Sequence, residues 1–242
     1  AASVGGRFYV MGGVDGPQDT NRPECFDPVK SSWELLPPLS PSFTHAAAAA
    51  LGGSIYVCGG LDLGGVLDQV QVYDPAAQCW ESLPPMPTPR FECAATPLRS
   101  RLYVLGGANI QGQPLAVAEC FDPLAGSWSS LAPMSRARYG CTAAAAQNRV
   151  HVFGGHGAWA DLADCEAYEP QMDCWTALAP MTTRRNHCGA AAAEGRIYVF
   201  GGHADGRDVI TVDCLDLDTG TWEVAALMQR PHSRCLAVVV QP

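Results

Sequence analysis

The feature that most constrains the fold is a repeat of paired glycines with a period of about 47 residues. A tryptophan follows the second glycine of each pair by 20 or 21 residues. A fixed period of roughly 20 to 50 residues indicates a repeat architecture, in which each unit packs on its neighbours. Five units fill nearly all of the 242 residues, so we predict one domain over residues 1–242. The pairs begin at Gly12, Gly59, Gly106, Gly154 and Gly201.

Each unit is predicted to form four short strands. The first is small and apolar, as in Ala46–Ala50, and the second is a β-branched and aromatic run that stops at the glycine pair, as in RLYVLGG. A variable loop then leads to a third strand such as Val117–Phe121, which in most units ends at an Asp-Pro or Glu-Pro turn. The fourth strand carries the tryptophan and in most units ends at prolines, which cannot continue a hydrogen-bonded ladder.

This pattern resembles the kelch repeat, and most closely the kelch domains of kelch-like proteins. The shared residues are the glycine pair, a tyrosine before it, the spaced tryptophan, and a later Pro-Met and arginine. Kelch units are the blades of β-propellers. The resemblance therefore implies an all-β, five-bladed kelch β-propeller with four antiparallel strands per blade. Kelch-like domains more often have six blades, so an incomplete six-bladed fragment remains an alternative.

The two ends of the chain suggest how the ring closes. The opening AASVGGRFYVMGG aligns with AAALGGSIYVCGG, so the chain is expected to begin just before the second strand of its first unit. The segment Arg234–Val240 resembles a first strand with no second strand after it. We predict that this C-terminal strand joins the N-terminal blade and pairs with Arg7–Met11, which would remove two exposed sheet edges.

Composition narrows the classes of partner and compartment. A net charge of −9 disfavours nucleic acid and anionic membranes as partners. The sequence has no apolar run long enough to span a membrane, and its start lacks the features of a signal peptide. The eleven cysteines are odd in number, form no C-x-x-C pair and recur at small first-strand positions. They predict free core thiols in a reducing cytoplasm, with no metal or cofactor.

Three arginines recur in the segments that lead into the first strands, which we call lead-ins. Arg90, Arg138 and Arg185 occupy the same position, and Phe43 and His232 take that position in the other units. Two interpretations stay open. The arginines form repeated ion pairs between blades, or they form a ring of donors for the carboxylates of a partner, which a guanidinium binds in bidentate fashion.

The residues after these arginines and the loops after the glycine pairs differ from unit to unit, as expected of a recognition surface on a rigid scaffold. In kelch-like domains such residues lie together on one face and contact a partner peptide. Trp159 is the only tryptophan outside the repeat register, and it either folds over its blade or anchors a partner. The candidate partner-binding residues are Arg90, Phe91, Arg138, Tyr139, His156, Trp159, Arg185, Asn186, His187, His203, Arg207 and Ser233.

The function that follows is a protein-interaction module. We expect it to bind a peptide or loop at the end of the channel that carries the variable loops, and the resemblance implies substrate recognition for a ubiquitin-ligase adaptor. Because the acidic turns at Asp27, Asp74, Asp122 and Glu169 are expected on the opposite face, the partner is predicted to be acidic. No motif indicates an enzyme. The alternative is a sugar-binding or sugar-processing propeller, epimerase-like or oxidase-like, which a deep axial pocket with carboxylates and arginines would favour.

Overall fold

The computed structural model describes residues 1–12, 14–15, 18–19, 22–40 and 42–233, with the backbone alone at 14–15 and 18–19. Every regular element within these residues is a β-strand. Five antiparallel four-stranded sheets follow one another along the chain. The predicted five-bladed, all-β architecture is therefore confirmed.

The strands are named here blade by blade. The first blade contains β1 (Ala2–Val4), β2 (Arg7–Val10), the short hairpin of β3 (Val14–Asp15) and β4 (Gln18–Asp19), β5 (Glu24–Asp27) and β6 (Ser32–Leu35). The second contains β7 (Ala47–Leu51), β8 (Ser54–Cys58), the hairpin of β9 (Leu61–Asp62) and β10 (Gly65–Val66), β11 (Val70–Asp74) and β12 (Cys79–Leu83). The third contains β13 (Ala94–Leu98), β14 (Arg101–Leu105), β15 (Ala118–Asp122) and β16 (Ser127–Ser130).

The last two blades repeat the plan. The fourth contains β17 (Thr142–Ala146), β18 (Arg149–Phe153), β19 (Cys165–Glu169) and β20 (Cys174–Leu178). The fifth contains β21 (Gly189–Ala193), β22 (Arg196–Phe200), the hairpin of β23 (His203–Ala204) and β24 (Arg207–Asp208), β25 (Thr211–Asp216) and β26 (Trp222–Leu227).

The first strand of each blade lies at the axis of the propeller. These five strands line an axial cavity of about 410 Å³, whose wall consists mainly of alanines, with Cys93, Cys141 and Cys188 at the strand starts. Small side chains at these positions let the innermost strands approach the axis closely. The alanine-rich runs are poor strand formers by propensity, so their position at the axis explains a composition that propensity alone does not.

The first blade differs from the sequence-based expectation. Ala2–Val4 forms its innermost strand and pairs with Arg7–Val10, with Ala2 opposite Tyr9. The turn at Gly5 and Gly6 has φ angles of 57° and 73°, the left-handed conformation that a tight two-residue hairpin needs. Arg7–Val10 is paired on its other edge with β5. The segment Arg234–Val240, which was predicted to pair with Arg7–Met11, lies outside the described residues. Ala2–Val4 occupies the innermost position that was predicted for this C-terminal segment.

Apolar contacts join successive blades. Leu102, Val104 and Phe121 of the third blade pack against Ala49 and Tyr56 of the second, and equivalent residues form equivalent clusters at the next two junctions. Each tryptophan of the second to fifth blades also donates its indole N–H to a carbonyl of the preceding blade. The pairs are Trp80 with Pro37 (2.9 Å), Trp128 with Pro84 (2.9 Å), Trp175 with Ala132 (2.8 Å) and Trp222 with Ala179 (2.8 Å).

Burial along the second strands shows where this packing ends. In β14 all four residues Leu102–Leu105 are buried, because both faces of that blade are covered. In β2 only Tyr9 is buried. Val10 is 42% exposed, although its counterparts in the other four blades are exposed by at most 1%. Successive strand residues face opposite sides, so the first blade has one covered face and one open face.

The fifth blade shows the complementary pattern. In β22, Ile197 and Val199 are buried against the fourth blade, whereas Tyr198 and Phe200 on the other face are only partly buried. Among the described residues, the junction between the fifth and first blades therefore has two open sheet faces, which we call the seam. Trp33 of the first blade lies there and is half exposed.

The ten cysteines that the structure describes are free thiols, and Cys235 lies outside the described residues. Burial raises the pKa of Cys141 and of Cys165 to about 12, so these thiols stay protonated at neutral pH. The described part of the chain contains no helix with the length and apolar character that crossing a membrane requires.

Candidate functional site

The lead-ins and the variable loops meet at one end of the channel. The residue after each arginine position forms a β-bridge with the residue after the second glycine of the same blade. We call this end the mouth: lead-in residues 43–45, 90–92, 138–140 and 185–187, with loops 61–68, 108–115, 156–163 and 203–210. The bridges pair Thr44 with Leu61, Phe91 with Ala108, Tyr139 with His156, and Asn186 with His203.

The glycine pairs make this close approach possible. A Cβ atom on Gly106 would lie 2.5 Å from the carbonyl oxygen of Arg138, and one on Gly107 would lie 2.8 Å from that of Phe91. Both glycines also have positive φ angles, of 61° and 99°. The amide of Gly107 donates to the carbonyl of Arg138 (2.8 Å), which fixes the lead-in of the fourth blade against the third. The repeat seen in the sequence is thus a packing requirement of the mouth.

The arginines of the lead-ins are buried in ion pairs. Arg138 is 0% exposed, and its Nη2 lies 2.7 Å from Oε1 of Glu166 on β19. Its Nη1 donates to the carbonyls of Gly154 (2.8 Å) and Asp164 (3.0 Å). The backbone amide of Arg138 meanwhile donates to Leu115 in the third-blade loop. One residue therefore joins two neighbouring blades.

The same arrangement recurs at two other lead-ins. Arg90 pairs with Glu119, and Arg185 lies 2.8 Å from Asp213; both arginines are 0% exposed. At the second blade, Phe43 replaces the arginine and the neutral Gln71 replaces the acid, donating to the carbonyl of Ser40. The structure thus shows repeated ion pairs, as the first of the two interpretations has it, but each pair joins a lead-in to the third strand of its own blade and not two different blades. Burial in these pairs removes Arg90, Arg138 and Arg185 from the surface that a partner can touch.

Most of the acidic turns on the opposite face also lie in ion pairs. Three of the four predicted turns, and the equivalent Asp216 of the fifth blade, lie beside an arginine at the start of the second strand; in the second blade that position is Ser54 and the turn is Asp74. The distances are 2.9 Å for Arg7 and Asp27, 3.0 Å for Arg101 and Asp122, 2.9 Å for Arg149 and Glu169, and 3.6 Å for Arg196 and Asp216. The positive charge expected at the mouth therefore loses Arg90, Arg138 and Arg185 to internal ion pairs, whereas the negative charge expected on the opposite face stays a prediction.

Asp161 connects the loops of the fourth and fifth blades. Its Oδ1 lies 2.7 Å from Nδ1 of His156 and accepts a hydrogen bond from the side-chain amide of Asn186, and its Oδ2 accepts from the amide of Asp205 (3.2 Å). Burial opposes ionisation of this carboxyl, but the three hydrogen bonds outweigh it, and the pKa of Asp161 lies below its ordinary value. Its in-register counterpart in the fifth blade is Asp208, whose Oδ1 lies 3.0 Å from Nδ1 of His203, so the shared spacing of five residues was a signal for the histidine contact that sequence reasoning missed.

A belt of left-handed residues surrounds the mouth of the channel. His45, Glu92, Gly140 and His187 occupy one repeat position and all have φ angles between 49° and 58°. Each amide donates to the carbonyl of the preceding member: Glu92 to His45 (2.8 Å), Gly140 to Glu92 (2.8 Å) and His187 to Gly140 (2.7 Å). The ring of His187 lies over Gly140, where a Cβ would be 3.1 Å from it, and its Nε2 lies 3.2 Å from Oε1 of Glu92.

Three loop tips of the mouth expose large apolar side chains, which we call the apolar crown. Trp159 is 95% exposed, so it does not fold over its blade. Leu63 is fully exposed and Ile110 is 69% exposed at the tips of the two preceding loops. The loop tips of the second and third blades contact each other here, because a Cβ atom added to Gly65 would lie 3.6 Å from Cδ1 of Ile110. Sequence reasoning selected Trp159 but missed Leu63 and Ile110.

Comparison with protein families identifies the architecture independently. The family model described as the KLHDC2/KLHL20/DRC7 Kelch-repeats domain matches residues 1–107 and 84–241, which together cover almost the whole chain. The chain belongs to this kelch-repeat family. A comparison with curated proteins found no match.

The other predicted residues of the kelch domain occupy different parts of the mouth. Phe91 packs edge-to-face on His45, with ring centres 6.5 Å apart, and Tyr139 lies 5.3 Å from the ring of His156. Asn186 is buried by its contact with Asp161. The remaining three lie at the fifth blade: Arg207 and Ser233 are exposed, and Nδ1 of His203 lies 3.0 Å from Oδ1 of Asp208.

The three candidate histidines of this kelch domain, His156, His187 and His203, do not converge on one point. His156 is held by Asp161, His203 by Asp208, and His187 by Asn186 and Glu92. Within the described ranges, no group of three or more His, Cys, Asp and Glu side chains is arranged to hold a metal ion. The described mouth thus offers apolar tips, aromatic rings, carboxylates and the exposed Arg207 as its contact groups.

Proposed function

We propose that this kelch domain binds a segment of a partner protein across the mouth, with Trp159 as the central apolar contact. The observation that carries the proposal is the apolar crown of Leu63, Ile110 and Trp159, all exposed at neighbouring loop tips. Large apolar side chains are seldom clustered on a surface that faces only water, and tryptophan is enriched among residues that dominate binding energy.

The loops that carry the crown are held in place before any partner arrives. Oδ1 of Asp62 accepts from the amides of Gly64 (2.7 Å) and Gly65 (3.0 Å), next to Leu63. Oδ1 of Asn109 accepts from the amides of Gln111 and Gln113, around Ile110. Asp161 closes the loop of Trp159 through His156. A pre-organised surface loses less conformational entropy on binding, which supports a recognition role.

The partner we propose is a substrate of a ubiquitin-ligase adaptor, as the kelch resemblance suggests, in the reducing cytoplasm, which the free thiols favour. The acidic partner expected from the arginines has lost its support, because those arginines are neutralised inside the domain. The sugar-processing alternative is not favoured either. The axial cavity is lined mainly by alanine with cysteine and threonine, and the arginines point into the blades.

Quantitative affinity capture tests this proposal. The domain is immobilised as wild type, as Trp159→Ala and as Leu124→Ala, a matched loss of an exposed apolar side chain on the opposite face. We expect proteins captured by the wild type to be retained by Leu124→Ala and lost from Trp159→Ala, with the affinity for the main partner falling by about 30-fold, or about 2 kcal/mol. Equal capture by all three proteins would show that the mouth is not the binding face.

A further inference from the structure

We infer that the segment bound at the mouth combines apolar side chains with positive charge. This inference rests on the proposed function and adds the chemistry of the partner. The charge proposed for the partner is opposite to that of the acidic peptide expected from the sequence. The argument depends on which charged groups of the mouth remain available to a partner after the domain has folded.

The three lead-in arginines contribute no net charge to the mouth. Each is fully buried and adjoins a buried carboxylate: Glu119, Glu166 or Asp213. An ion pair inside the protein presents almost no field to a ligand at the surface, because the two charges cancel at short range. The positive ring that the sequence suggested is therefore internal.

Carboxylates outnumber arginines among the remaining charged groups of the mouth and its flanking residues. Two arginines of these segments already lie beside acids: Nη1 of Arg136 is 3.1 Å from Oδ2 of Asp164, and Nε of Arg184 is 3.7 Å from Oδ2 of Asp205. Among the described residues, the arginines of these segments and of the equivalent end of the first-blade loop are Arg22, Arg136, Arg184, Arg207 and Arg230. The acids of these segments are Asp62, Asp68, Glu92, Asp161, Asp164, Asp205 and Asp208.

The negative charge lies beside the apolar crown on both sides. Asp62 directly precedes Leu63. On the other side, Asp161 follows Trp159 by two residues and holds the amide of Asp205, which places the fifth-blade loop next to that of Trp159. Asp205 and Asp208 have well-exposed side chains. A segment that covers Trp159 with an apolar residue can thus place a lysine or arginine against the carboxylates of the fifth blade.

A peptide array with defined sequences tests the sign of the charge. The peptides have one length and combine an aromatic or aliphatic core with lysine and arginine, with aspartate and glutamate, or with neutral polar residues. A fourth set is basic but has no apolar residue. The proteins are wild type, Trp159→Ala, Asp205→Asn/Asp208→Asn, and Glu81→Gln/Asp74→Asn, which makes the same charge change away from the mouth. Asparagine suits position 205, whose φ angle is 49°.

We expect the wild type to select the basic apolar set and to bind it more weakly as salt rises. The Asp205→Asn/Asp208→Asn variant should bind this set about fivefold more weakly, because two exposed ion pairs are lost, whereas the Glu81→Gln/Asp74→Asn variant should match the wild type. Acidic peptides selected through Trp159 would overturn the inference and leave the proposed function intact. Equal binding of the basic set without apolar residues would also overturn it. Peptide binding that is equally strong for the wild type and for Trp159→Ala would instead contradict the proposed function.

Discussion

The buried ion pair between Arg138 and Glu166 gives the sharpest quantitative prediction, because the domain contains its own control. At the second blade the same two positions are Phe43 and Gln71, and the fold is unchanged there. Changing Arg138→Phe alone leaves the carboxylate of Glu166 buried, with the amide of Ser135 (2.8 Å) as its remaining described partner. An uncompensated buried charge of this kind costs about 3 to 5 kcal/mol of the free energy of unfolding.

The second change, Glu166→Gln, should recover most of that loss in the Arg138→Phe background. Gln71 donates its side-chain amide to the carbonyl of Ser40, and Ser135 occupies the position equivalent to Ser40. A glutamine at 166 therefore has an acceptor ready, and no buried charge remains. We expect the double variant to lie within about 1 to 2 kcal/mol of the wild type, so that Glu166→Gln recovers about 2 to 3 kcal/mol of the loss caused by Arg138→Phe.

Urea unfolding followed by tryptophan fluorescence measures these differences, and Arg136→Ala provides the surface control. Arg136 is mostly exposed beside Asp164, so its loss should cost about 1 kcal/mol or less. The interpretation fails if Arg138→Phe costs under about 1 kcal/mol, or if the double variant loses the sum of the two single losses. The double variant should also keep the affinity of the wild type for the captured partner. Loss of that affinity would indicate that Arg138 contributes to the binding face.

Two further predictions follow from the described contacts. Burial lowers the pKa of His151 from 6.5 to about 4, so unfolding takes up a proton between these values and stability falls as the pH drops through that window, by up to about 3 kcal/mol. His151→Tyr restores the residue found in the other blades and should remove this loss of stability, which urea unfolding of both proteins between pH 7 and pH 4 measures. If the free energies of unfolding of wild type and variant fall in parallel over this range, the prediction is wrong. Trp33 should be the repeat tryptophan most accessible to a quencher such as acrylamide, since it lies at the seam; a Trp33→Phe variant whose remaining fluorescence is quenched as readily as the wild type's would contradict this.

The repeat could be read from the sequence because each of its signals is local and occurs five times. A glycine pair, a tryptophan and a short β-branched run each identify a strand or a turn within a few residues. The ion pairs required residues 28 or 29 positions apart to be considered together. That signal was present, because the unit with Phe43 in place of arginine also has Gln71 in place of the acid. The three residues of β1 are too few to show the alternation of a strand.

The apolar crown shows a limit of a different kind. Leu63 and Leu67 belong to the same variable loop, yet Leu63 is fully exposed and Leu67 is buried in a cluster with Phe43. The residue type is identical, so composition and hydropathy cannot separate the two. The exposure of each leucine is set by the path of the loop between β8 and β11. That path depends on the residues of the loop that have positive φ angles and on the bridge between Thr44 and Leu61. Exposure of loop residues therefore requires the structure.

Within the described residues, the seam leaves the five blades with unequal interfaces. In a chain of repeats the free energy of each unit depends on its own folding and on its interfaces with its nearest neighbours. The second, third and fourth blades have two such interfaces within the described residues, whereas the first and fifth have one. Local unfolding should therefore begin at the two outer blades, and their amide protons should exchange with solvent before those of the third. Since Asp161 ties the loop of Trp159 to the fifth blade, opening of that blade would also free one side of the apolar crown.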